Sequence, residues 1–289
     1  MNATEFAASR RFAETMFGRI AYLERGGGPA ALFLHGAFMN GYQWRDVVER
    51  CSSMRRCIAF DNLGHGHTEV PAGQAVDFDA QAAAVGALLD RLGIEQADVV
   101  GSDSGGAIAQ VFAARWPERV RTLCLTNCDV HTNCPPPAFE KTIEACRSVG
   151  AAVICERLRS NLGFARSRAG FGLTFERPED LSAETLETYL APLVASPERT
   201  GAFERFILSI APEYTARIGG ALRTLEAPTL IAWGTDDPFF ELKWAYWLAG
   251  AIPGARPVVE VHGARTFWPE ERPDQLGELL LNHWAQPSG

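Results

Sequence analysis

The chain has 289 residues, 47% hydrophobic and 21% charged, a make-up that excludes disordered and fibrous classes and allows one large domain with an extensive core. Acidic residues outnumber basic ones 35 to 27, a net charge of −8, and no Lys/Arg run is present to follow a phosphate backbone, so no nucleic-acid partner is expected. Met1 to Arg11 lacks a signal peptide's apolar core, and no stretch approaches the roughly 18 apolar residues of a membrane span, so a cytoplasmic location with no membrane partner is expected.

In chain order, short apolar runs predict strands at Ile20 to Leu23, Ala30 to Leu34, Cys57 to Phe60, Asp98 to Val100, Val120 to Leu125, Thr229 to Trp233 and Pro257 to Val261. A helix is expected from Phe78 to Leu92, where Val85, Leu88, Leu89 and Leu92 share one face and Gly93 supplies a stop. Another begins at the glycines after Asp103 and runs to Arg115, before Pro117. Such alternation is the mark of βα units and a mostly parallel sheet. It fails between about Asp129 and Leu222, where Pro135, Pro136 and Pro137 lead into amphipathic helical stretches, and it returns at Thr229. The expected organisation is therefore an α/β core over 1–128 and 223–289, with a helical cap over 129–222.

The seven cysteines are odd in number and lie in apolar segments without paired zinc spacing, so reduced core thiols are expected and no metal or other cofactor. Nothing in the chain bears on oligomeric state.

The run from Ala97 to Gln110 reads as a buried strand, a glycine-rich turn and a helix. A tight strand-to-helix turn needs small neighbours two positions either side of its centre, and Gly101 and Gly105 stand there around Asp103. The central side chain is then pushed out at a helix N-terminus, where backbone N–H groups favour an anion. Asp103 as a simple helix cap would not require the flanking glycines. Ser104 within Asp-Ser-Gly-Gly also matches a chymotrypsin-like nucleophile, but that fold is all-β.

This stretch resembles the nucleophile elbow of the α/β-hydrolase superfamily, and the central aspartate is similar to that of the haloalkane dehalogenase and epoxide hydrolase branch. His35-Gly36, followed by Tyr42, Trp44 and Arg45, resembles the branch's oxyanion loop, and Asp61 to His67 its D-x-x-G-x-G turn. The resemblance covers most of the chain and is weakest in the insertion. It implies an α/β-hydrolase fold, a small and mostly apolar substrate, Asp103 as nucleophile, and the backbone N–H groups of Ala37 and Ser104 as oxyanion hole. His35, Phe38, Trp44, His131 and Phe267 would line the substrate pocket. Ala37 and Ser104 also stand where dehalogenases of this branch carry the asparagine and tryptophan that hold the departing halide.

Asp237, in Gly234-Thr235-Asp236-Asp237-Pro238, matches the acid that orients the catalytic histidine, although aspartates before a proline also simply form turns. The histidine's own position, in Gly263-Ala264-Arg265-Thr266-Phe267, is held by Thr266. A threonine hydroxyl does not accept a proton at neutral pH without a base of its own, so hydrolysis of an ester on Asp103 lacks its usual catalyst. His262 and His131 are the candidate substitutes. Three functions remain open: a hydrolase of the dehalogenase or epoxide hydrolase type, a cofactor-independent lyase, isomerase or cyclase, and a ligand-binding module on the same fold.

Overall fold

A computed structural model describes residues 1–285. Eight strands form one sheet in the order β1-β2-β4-β3-β5-β6-β7-β8. They are β1 (Arg11–Thr15), β2 (Gly18–Arg25), β3 (Ala30–Leu34), β4 (Arg56–Phe60), β5 (Ala97–Asp103), β6 (Val120–Cys128), β7 (Thr229–Gly234) and β8 (Val259–Val261). The pairs β1/β2 and β2/β4 are antiparallel, and every other pair is parallel. All residues of β3 and β7 are buried, as expected of parallel strands covered by helices on both faces, whose sequences then read as continuous apolar runs.

All seven expected strands are present. β1, which the apolar pattern did not indicate, is an edge strand in which only Ala13 is buried, so its sequence Arg-Phe-Ala-Glu-Thr carries little hydrophobic signal. The helices Phe78–Arg91 and Ser104–Arg115 lie within a residue or two of their expected limits. Asp77 caps the first, accepting from the Ala80 N–H. Between β6 and β7 the chain forms helices, among them Pro137–Val149, Ala151–Ser160, Ala183–Leu190 and Pro197–Ser209. No helix among the described residues is long and apolar enough to cross a membrane.

The loops after β3, β5, β7 and β8 leave the same, C-terminal edge of the sheet, carrying Gly36-Ala37, Asp103, Asp237 and Thr266 respectively. In open parallel sheets this is the edge at which ligands bind.

Candidate active site

Asp103 ends β5 and begins the helix Ser104–Arg115 with φ 54° and ψ −130°, a left-handed backbone that aspartate adopts at a cost of about 1–3 kcal/mol. The turn is as tight as the sequence requires. A Cβ on Gly101 would lie 2.5 Å from the Gly105 carbonyl, and one on Gly105 would press into the carbonyls of Leu34 and His35 at the end of β3. The helix start is thereby drawn against the β3 loop, and Ala37 N–H donates to Asp103 Oδ2 at 2.9 Å. The Ser104 N–H, next along the chain, also favours the charged form of this carboxylate. Gly36 is also required, since a Cβ there would overlap Asp103 Oδ2 and the Phe267 ring.

His35 does not face the cavity. It is fully buried behind the loop, its Nε2 accepting from Asn62 N–H at 2.9 Å and its Nδ1 2.8 Å from the Gly36 carbonyl. Nδ1 therefore carries the proton. Burial first, then the neighbouring His65, hold the ring well below the usual histidine range, so it braces the loop as a neutral imidazole.

On the other side of the cavity Asp237 is 5% exposed and accepts four hydrogen bonds. Its Oδ1 takes the N–H groups of Phe239 (2.8 Å) and Phe240 (3.2 Å), while Oδ2 takes Asn127 Nδ2 (2.8 Å) and Thr266 Oγ1 (2.9 Å). Burial outweighs these four donors and pushes the carboxyl up to about 6. Thr266 thus makes the contact to the acid that a base at this position needs, through a hydroxyl whose proton is already given to Asp237.

A cavity of about 550 Å³ opens above these groups. Asp103, Ala37 and Thr266 are on its wall, with Phe38, Phe267 and Phe171 around them and residues of the helices Pro137–Val149 and Ala151–Ser160 on the far side. Of the expected pocket residues, Phe38 and Phe267 line it. His35, Trp44 and His131 do not: Trp44 is fully buried against Phe33, and His131 stacks on Trp247 with ring centroids 4.6 Å apart. His262 is exposed beyond β8, so its offset from Thr266 carries it outward. None of the six histidines, all within the described residues, lines the cavity, and neither does any tryptophan.

Two residues of the site were not singled out from the sequence. Asn127 bridges β6 to β7, accepting from Gly234 N–H at 2.6 Å and donating to its carbonyl at 3.1 Å while it holds Asp237. Its signal was a lone amide in an apolar strand. Asp129 follows β6 beside the elbow, where Asp103 pairs with Cys128 across the strands. It is buried, its Oδ1 has no hydrogen-bond partner, and burial, followed by the charge of Asp103, raises its carboxyl well above the ordinary range. Asp103 is itself raised, first by burial, with Asp237 adding to the effect and the two backbone N–H groups opposing it. The seven cysteines are free and buried.

Residues 29–145 match the family described as alpha/beta hydrolase fold. Haloalkane dehalogenase 2 of Mycobacterium tuberculosis is 27% identical over 278 residues, 95% of this chain and 94% of that protein. A 2-hydroxy-6-oxononadienedioate/2-hydroxy-6-oxononatrienedioate hydrolase of Paraburkholderia phymatum is 27% identical over 295 residues, 97% of each chain. Among solved structures, an epoxide hydrolase without ligand superimposes with a TM-score of 0.81 at 21% identity, covering 96% of this chain and 98% of its own.

Proposed function

We propose that this chain, which has the α/β-hydrolase fold and relatives named as haloalkane dehalogenases, is a hydrolytic enzyme with Asp103 as its nucleophile. The observation that carries this reading is the strained carboxylate at the cavity wall, at the start of the following helix and held by the Ala37 N–H. Strain of this kind persists where the surroundings enforce it and places the side chain above the sheet edge. A carboxylate oxygen attacks an electrophilic carbon of a small, mostly apolar substrate, forming a C–O bond as the halide or epoxide oxygen departs with the electron pair. The donors that grip the carboxylate then become the oxyanion hole when water attacks the resulting ester. The helices between β6 and β7 act as the cap that encloses the substrate.

Release is the slow half. Water attacking the ester has to lose a proton, a positioned base contributes about 10²- to 10⁴-fold to such a step, and Thr266 offers a hydroxyl committed to Asp237. The absence of any histidine on the cavity wall favours a second reading, a ligand-binding module that performs no turnover. The two are separated by exposing the protein to a reactive bromoalkane, digesting it and mapping any mass increase. The nucleophile reading expects the added alkyl group on the peptide bearing Asp103 and none on Asp103→Ala. An unmodified Asp103 after exhaustive exposure contradicts it.

A further inference from the structure

Among the described residues Asp103 is the only carboxylate on the cavity wall, yet three cations line the same cavity: Lys141, Arg157 and Arg168. All three are exposed, and they stand on the helical insertion, across the cavity from the sheet edge. In a chain with eight more acids than bases, most arginines are committed to a carboxylate or a backbone carbonyl; among the described residues none of these three forms an ion pair. Arg157 is nevertheless placed, since its guanidinium lies over the Phe164 ring, 3.9 Å from the centroid, which leaves its N–H edge free. Glu140 and Glu144 flank Lys141 on its helix without lining the cavity, and Glu144 faces Arg147. The remaining wall is mainly aromatic and aliphatic, with Phe38, Phe139, Phe171 and Phe267 among its residues.

We infer that the cavity takes an amphiphilic anion: an apolar body against the phenylalanines and a carboxylate or phosphate head among Lys141, Arg157 and Arg168. Three like charges around one apolar opening repel one another, and a ligand anion relieves that repulsion while the cations draw it in by their combined field. The inference rests on the reading of Asp103 only for which end reacts, placing the electrophilic carbon at the end of the ligand far from its charge.

Because Asp103→Asn cannot be alkylated, binding to that variant tests the inference independently of the nucleophile. Hexanoate, hexylphosphonate and hexanamide share a chain and differ in the head, and each is titrated calorimetrically into the full-length Asp103→Asn protein. Exposed ion pairs are individually weak, so three together should favour an anion over the amide by about five- to tenfold at low salt, and the advantage should fade toward unity in about 0.5 M salt. The triple variant Lys141→Gln, Arg157→Gln, Arg168→Gln should lose the preference while still binding the amide, and the three single variants should each lose part of it. The inference is overturned if the amide binds as tightly as both anions, if the preference survives in the triple variant, or if none of the three ligands binds. An anion preference without alkylation of the wild type would sink the nucleophile reading and leave this one standing.

Discussion

The two sides of the cavity floor differ in completeness. At the elbow, strain, glycine packing and the Ala37 N–H converge on Asp103, while opposite it Asp237 is held by four donors and has only a threonine between it and the cavity. Under the proposed mechanism, making an ester and breaking it draw on different sides of the site. On that mechanism the two halves can be lost separately, because attack needs an aimed carboxylate and release needs a base.

The largest effect should come from removing the elbow carboxylate. Asp103→Ala should abolish alkylation outright, a loss of at least about 10³-fold, with the circular dichroism spectrum unchanged. Persisting alkylation at the wild-type rate would break the comparison at its stronger side. Gly36→Ala should come next: the new methyl overlaps Asp103 Oδ2, and misplacing a nucleophile by about 1 Å costs on the order of 10²-fold. A rate within twofold of wild type, measured by intact mass over time, would show that the close approach of the β3 loop is not needed.

On the incomplete side, Thr266→His should raise release of the Asp103 ester by roughly 10²-fold if the ring takes over the bond to Asp237, while leaving the alkylation rate within a few-fold. Thr266→Val should leave alkylation alike, and removing one of four hydrogen bonds to a buried carboxylate should cost about 1–3 kcal/mol in denaturant unfolding.

The smallest effect is one of pH. Burial raises Asp103, so the folded state binds a proton that the unfolded chain has released, and stability falls as pH rises from the ordinary carboxylate range through the raised value. Asp237, pushed up to about 6, adds to the same decline between roughly pH 4 and 6. Asp103→Asn should therefore melt a few degrees higher than wild type at pH 8 and by less at pH 4, as followed by scanning calorimetry. Equal melting points at both pH values would show that the elbow carboxylate is not strained by its burial. Alkylation should rise with pH over the same interval, since the carboxylate is the attacking form.

How much of this was legible in the sequence depended on where the signal lay. The parallel strands and the elbow are written locally, as apolar runs and as glycines two residues either side of Asp103, and they are where the pattern placed them. β1 escaped because an exposed edge needs few apolar residues. The pocket was harder, since spacing does not tell which way a side chain points: His35 and Trp44 follow the same loop as Phe38, yet only Phe38 meets the cavity. Asn127 acts across strands, and no local motif announces a partner more than a hundred residues away such as Asp237. The cations on the insertion acquire meaning only from a shared cavity wall.

The most direct test of the separation between attack and release is a count of halide per chain. With excess bromoalkane, wild-type protein should release one bromide per molecule in a burst that coincides with the adduct on Asp103 and then all but stop, whereas Thr266→His should continue past the first equivalent. Steady release of many equivalents by the wild type, with no adduct accumulating, would contradict the account by showing that this site already contains an effective base.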